Sequence, residues 1–146
     1  MKVKIKKLVD NAVIPSYAHD GDAGMDITAT SVSFDNDNNV VYGTGLAFEI
    51  PKGYVGLLFP RSSNAKKDLL LSNCVGVIDS PYRGEVLFKF KRTKKGWFRK
   101  ETIYEVGDRI GQMIIIKHPT IEFVESEELS ETERGCGGYG SSGKLL

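Results

Sequence analysis

No stretch of this 146-residue chain approaches 18 consecutive apolar residues, so no segment reads as a membrane-spanning helix. The opening decapeptide, MKVKIKKLVD, has no long apolar run and shows no signal peptide. The expectation is a soluble intracellular protein, cytoplasmic by default, with no membrane partner. Cysteine and histidine are scarce. Cys74 and Cys136 lie far apart, as do His19 and His118, and none has metal-ligand spacing, which argues against a Cys/His zinc site. The two cysteines could form one disulfide, but Cys74 reads better as a small apolar residue. Excess charge is also lacking: 20 Lys and Arg oppose 19 Asp and Glu, for a net +1. A protein that binds mainly by neutralising a phosphate backbone is more basic, so nucleic acid is not the expected partner. Helical periodicity is weak throughout.

What remains is a β-protein signature. The length suits one domain with its own core. Lys2 to Leu8 alternates polar and apolar, with Val3 and Ile5 inward. Val40 to Tyr42, Gly45 to Ile50, Tyr54 to Phe59, Val75 to Ile78, Glu85 to Phe90, Thr102 to Val106 and Arg109 to Ile116 read as further strands, punctuated by turns such as Pro51-Lys52-Gly53. Asp35 to Asn39 reads as a polar turn between two strands. One short helix is expected over Ser62 to Lys67, with a serine capping its start. Such a series of short strands predicts a β-barrel or sandwich.

Two charged stretches and one glycine-rich stretch stand out. Lys89 to Lys100, KFKRTKKGWFRK, holds seven basic residues and reads as a solvated hairpin more readily than as a nucleic-acid contact. Glu122 to Glu133 holds six glutamates and reads as a connector to the tail. Five of the 16 glycines lie in the last dozen residues. There Arg134, Gly135, Cys136, Gly137, Gly138, Tyr139, Gly140, Ser141, Ser142 and Gly143 form either a flexible tail or a wrap of backbone N–H groups around an anion. Arg134 adds a bidentate phosphate donor and Tyr139 a stacking face. The spacing is not that of a Walker loop.

Other segments could also carry chemistry. Asp79, between an apolar strand and the Ser80-Pro81-Tyr82-Arg83-Gly84 turn, could activate a water or cap the turn. Arg61-Ser62-Ser63 ends a strand with phosphate-binding side chains. Asp26 lies among small residues where it could meet a hydrated cation. In a regular strand Arg109 and Gln112, three apart, point to opposite faces, so different jobs are expected of them.

Five segments together resemble the trimeric dUTPase family: D-A-G-M-D-I at 22–27, P-R-S-S at 60–63, N-C-V-G-V-I-D-S-P-Y-R-G at 73–84, G-D-R-I-G-Q-M-I at 107–114 and R-G-C-G-G-Y-G-S-S-G at 134–143. The resemblance implies an all-β, jelly-roll-like β-barrel (the dUTPase-like β-clip) over residues 1–126. It adds a flexible Gly-rich C-terminal arm over 127–146, in a homotrimer that shares three active sites between subunits. It implies Mg²⁺-dependent hydrolysis of dUTP to dUMP and pyrophosphate, which limits uracil in DNA and supplies dUMP for dTMP synthesis. By the same resemblance Asp79 activates the water that attacks the α-phosphorus. Tyr82 packs under deoxyribose, and Asn73 with the strand backbone at Gly76 reads uracil. Arg61, Ser62, Ser63 and Gln112 line the phosphates, and Asp26 meets the metal through water, the Mg²⁺ being held mainly by substrate phosphates. Arg134, Gly138, Tyr139, Gly140, Ser141 and Ser142 close over base and distal phosphates.

Two positions depart from that pattern. Ser63 stands where many dUTPases carry Gly, and Gly111 where they usually carry Ala. Both are shared with the related dCTP deaminases, but the glutamate those enzymes need is here Lys89, which cannot shuttle the proton.

Overall fold

Strand alternation sets the architecture of this chain, whose structure is a computed structural model describing residues 1–37, 39–93 and 102–138. Among the described residues ten strands form: β1 Lys4–Lys7, β2 Met25–Thr28, β3 Ser31–Phe34, β4 Val40–Gly43, β5 Leu46–Glu49, β6 Tyr54–Phe59, β7 Leu69–Leu71, β8 Gly76–Ile78, β9 Leu87–Arg92 and β10 Arg109–Lys117. All pair antiparallel, in a sheet of order β2-β10-β6-β8, a sheet of order β3-β4-β9-β7 and a small pair β1-β5. This is the all-β, jelly-roll-like arrangement expected from the sequence.

The core lies between the sheets. In β9, Phe88 and Phe90 turn inward while Leu87, Lys89 and Lys91 face out. Tyr42, Ile27, Leu46, Leu69, Ile110 and Met113 complete a cluster with almost no exposure. Each such side chain contributes about 1.5–3 kcal/mol by leaving water. Tyr42 packs edge-on to both Phe90 and Tyr104.

Four expectations change. Thr102 to Val106 is not a strand, because side chains satisfy its backbone: Thr102 N–H donates to Asp68 Oδ2 at 2.8 Å and Tyr104 N–H to Tyr42 Oη at 3.0 Å. Met25–Thr28 and Leu69–Leu71 are strands that the pattern did not flag, being too short for alternation to register. The helix is a 3₁₀ turn over Ser62–Lys66, flanked by Arg61, and no side chain caps it. Ser62 therefore keeps its hydroxyl exposed. Lys89 is held by Asp35 at 2.6 Å. The Lys89 ammonium and the Asn39 amide hold the Asp35 carboxyl well below the usual carboxylate range. Of the basic stretch, 94–100 lies outside the described residues.

The fourth change is in β10. Its pairing with β2 runs Arg109↔Thr28, then Gly111↔Ile27, Gln112↔Asp26 and Met113↔Met25, so a bulge lies between Arg109 and Gly111. A bulge puts two residues opposite one and resets the alternation. Arg109 and Gln112 consequently share one face with Thr28 and Asp26, whereas the sequence parity had set them apart. Gly111, beside the bulge, is closely packed: a Cβ there would fall against the Phe88 ring and 3.0 Å from the Phe59 carbonyl oxygen. Phe88 fills the space that an alanine would take. Gly111→Ala is expected to destabilise the fold by about 1–3 kcal/mol through overpacking. Phe88→Leu in the same chain should recover part of that loss. Urea unfolding of the single and double variants checks both.

Candidate active site

The bulge brings a cluster of polar side chains to one end of the β2-β10-β6 sheet. Asp26 lies across from Gln112, and Gln112 from Phe59, so three strands set one row. From the next turn Arg61 Nε donates to Asp26 Oδ1 at 2.8 Å, and Arg109 Nη1 donates to Oδ2 at 2.9 Å. One carboxylate thus braces two guanidiniums. Such charge-assisted bonds are stronger than neutral ones, and here the acid and Arg61 are only 21% and 27% exposed. Gln112 Nε2 donates to the Pro60 carbonyl oxygen at 3.2 Å and ties β10 to the Arg61–Ser63 turn. Its Oε1 occupies the place a Gly24 Cβ would take, which explains the glycine in the first motif.

Asp79 belongs to a different place. β8 pairs Gly76↔Leu58, Val77↔Leu57 and Ile78↔Gly56, so it runs away from the Phe59 end of β6. Asp79 leaves beside Val55, while Asp26 stands at the row of Phe59, two strands beyond β6. At about 4.8 Å per strand spacing and about 3.3 Å per residue, these acids lie roughly 20 Å apart. Within one chain Asp79 does not meet Asp26 or Arg61.

Around Asp79 a second half-site forms. A shallow pocket of about 220 Å³ is lined by Val77, Ile78, Asp79, Tyr82, Glu85 and Leu87. The Asp79 backbone carbonyl accepts from Tyr82 N–H at 3.0 Å, while its carboxylate forms no hydrogen bond among the described residues. Tyr82 lies over Gly84, whose missing Cβ leaves room for the ring, and donates its hydroxyl to the Glu85 carbonyl at 3.0 Å. Arg83 was not singled out from the sequence, yet its Nη1 clasps the turn through the Ser80 and Tyr82 carbonyls at 2.6 and 2.8 Å. Among the described residues β8 ends its sheet, so one row of its backbone donors and acceptors has no strand partner there. Asn73, exposed, stands just before it in a turn where Cys74 takes φ 60°.

The tail contributes one described turn, at Arg134, whose Nε donates to the Gly137 carbonyl at 2.9 Å, with Gly138 following it exposed. Tyr139, Gly140, Ser141 and Ser142 lie outside the described residues. Among the described residues no group of three or more His, Cys, Asp or Glu side chains gathers as a metal cage. Among the described residues no helix is long and apolar enough to cross a membrane.

Two sets of side chains, one of arginines, serine and amide and one of carboxylate and tyrosine, stand at separate places on this small antiparallel β-protein. Comparison with known proteins narrows the class. The family model described as dUTPase matches residues 10–143. The deoxyuridine 5'-triphosphate nucleotidohydrolase of Hydrogenobaculum sp. (strain Y04AAS1) is 40% identical over 146 residues, spanning 98% of this chain and 99% of that protein. That of Nautilia profundicola is 41% identical over 147 residues, spanning 99% and 100%. Among solved structures, a mutant Staphylococcus bacteriophage 80alpha dUTPase with dUpNHpp superposes with a TM-score of 0.83 at 31% identity, covering 98% of this chain and 99% of that one. A mutant dUTPase from phage phi11 of S. aureus, described with a structural Mg(II) ion, superposes at 0.72 with 26% identity, covering 88% and 98%. The chain belongs to the dUTPase family.

Asp26→Asn removes one charge and one acceptor from the double brace. Asp26 and Arg61 are partly buried while Arg109 is exposed, so about 1–2 kcal/mol of stability should be lost, mostly through the Arg61 contact. Equilibrium urea denaturation of this variant beside Arg109→Ala checks it. If the brace is one unit, the double variant loses less than the two singles combined.

Proposed function

We propose that the chain hydrolyses dUTP to dUMP and pyrophosphate at sites assembled from more than one copy, with Asp79 activating the attacking water. Family membership supports the substrate and the reaction. The observation that carries the rest is the roughly 20 Å between Asp79 and the Asp26–Arg61–Arg109 cluster. One chain holds both halves of a phosphate-ester site but cannot join them, so a neighbour's Asp79 must face this chain's arginines. A homotrimer with three shared sites meets that requirement by cyclic symmetry. Exposed Val77, Leu87 and Tyr82 around Asp79, and exposed Ile121, Phe123 and Val124 in the chain beyond β10, supply apolar surface for such contacts.

Recognition divides along the same line. The free edge of β8 at Gly76, with the Asn73 side chain, suits the alternating donor and acceptor edge of uracil. Tyr82, flat over Gly84, offers a face beneath deoxyribose, where a 2′-hydroxyl would find no room. Arg61, Ser62 and Gln112 bind phosphate oxygens, with Ser63 supporting the turn. Asp26 holds the two guanidiniums in a fixed fork, ready for anionic oxygens without reorganisation.

A divalent cation fits this site as an ion held by the triphosphate. Asp26 already serves two arginines, so its remaining lone pairs reach a metal through water, in keeping with the habit of Mg²⁺ to retain water alongside phosphate oxygens. When bound, Mg²⁺ offsets charge on the phosphates. Asp79 is exposed, and its carboxylate, which has no hydrogen bond among the described residues, orients a water and takes its proton. Residues 1–126 form the barrel and 127–146 the arm. Through Arg134, Gly138, Tyr139, Gly140, Ser141 and Ser142 that arm covers base and distal phosphates and excludes water. Hydrolysis of dUTP keeps uracil out of DNA and supplies dUMP for dTMP synthesis.

Asp79→Asn tests the assignment of the base. Turnover of dUTP should fall about 10²–10⁴-fold, the usual contribution of a positioned general base. Binding of dUpNHpp, followed by calorimetry, should stay within about threefold of the parent, since the half-site keeps its shape. Unchanged turnover would remove Asp79 from this role.

A further inference from the structure

Tyr104 is a buried residue that the reaction as described does not use, and the sequence reading took it only for part of a strand. It is 3% exposed. Its backbone is locked at both polar groups by one hydroxyl: Tyr42 Oη donates to the Tyr104 carbonyl at 2.9 Å and accepts from its N–H at 3.0 Å. Its ring lies under the Lys67 ammonium, 4.6 Å from the centroid. The same ammonium donates to the Ile103 carbonyl at 2.9 Å and approaches Asp108 at 3.8 Å. Its own hydroxyl donates to Asn64 Oδ1 at 3.3 Å, inside the 3₁₀ turn. Asn64 in turn donates from Nδ2 to the Leu69 carbonyl at 2.9 Å.

These contacts place one side chain between the two elements that carry the phosphate-binding groups. On one side is the turn bearing Arg61, Ser62 and Ser63. On the other is the 102–108 segment, which leads directly into Arg109 and Gln112. Ser63 strengthens the case. Its Oγ is buried beside the Tyr104 hydroxyl, and the two are close enough to interact electrostatically without forming a well-aligned hydrogen bond. A buried hydroxyl without a good partner costs free energy. A serine here, where the family often has glycine, places its oxygen against this one tyrosine.

We propose that Tyr104 is a positioning residue for the phosphate pocket, its hydroxyl setting the Arg61–Ser63 turn against the Arg109–Gln112 strand through Asn64. The inference rests on the reading of those residues as phosphate ligands. Lengthening or losing the Tyr104–Asn64 bond lets the turn drift from the bulged strand, and the arginine fork opens. The ring and the Tyr42 clamp hold the core, so the hydroxyl alone is the adjustable part.

Tyr104→Phe removes that hydroxyl and keeps the ring. The full-length enzyme should show KM for dUTP raised about fivefold, equivalent to one hydrogen bond of about 1 kcal/mol, with kcat within about twofold. Inhibition by deoxyuridine, which has no phosphate, should not change. In the Asn64→Ala background the same substitution should add less than about twofold, because the bond is already absent. A merely structural role would lower the unfolding temperature and weaken dUTP and deoxyuridine alike. An unchanged KM, an equal loss for both ligands, or full additivity with Asn64→Ala would each overturn the inference. Absence of dUTP turnover in the parent enzyme would instead overturn the functional reading beneath it.

Discussion

One carboxylate held by two arginines is the contact on which the site depends. Asp26 can reach both Arg61 and Arg109 only because β10 is bulged between Arg109 and Gly111. In a regular strand the odd spacing of Arg109 and Gln112 would send one of them into the core. Beside the bulge Gly111 leaves a gap that the Phe88 ring fills. Gly24 plays a similar part opposite Gln112. Glycines spread over two motifs, a core phenylalanine and a carboxylate therefore form one connected constraint, in which the backbone makes room and the charges use it.

Much of this was legible in the chain. Apolar and β-branched runs bounded by turn residues located β6 over Tyr54–Phe59 and nearly all of β10, because those runs are long enough to stand out. Five motifs in order identified the family and nominated Asp26, Arg61, Gln112, Asp79 and Tyr82. Illegible was whatever depends on contacts across the fold. Thr102 to Val106 has β-forming residues but its amides are taken by Asp68 and Tyr42, partners about 34 and 62 residues distant, so no local rule sees them. The parity of Arg109 and Gln112 was misread from regular alternation, although a glycine inside a strand is itself a sign of a bulge. Tyr104 offered no sign at all, since its role lies in where its hydroxyl ends.

The near balance of charge acquires a meaning from this geometry. In the proposed function, phosphate binding draws on a few donors held in place by an acid rather than on a broad basic surface, which suits a small triphosphate better than a polymer. The glycine-rich terminus belongs to the same economy of charge, since backbone N–H groups bind anions without adding net positive charge. In the proposed function, the separation of Asp79 from the arginines makes assembly a condition of catalysis.

Subunit mixing tests that claim most directly. Asp79→Asn and Arg61→Ala subunits, each inactive alone, are unfolded together at equal amounts, refolded and assayed for dUTP hydrolysis. In a cyclic trimer with each site drawn from two neighbours, every mixed trimer holds one intact site, so activity should return to about one quarter of the parent. Mixed trimers that stay as inactive as either variant would show that each chain builds its site alone, and would contradict the account.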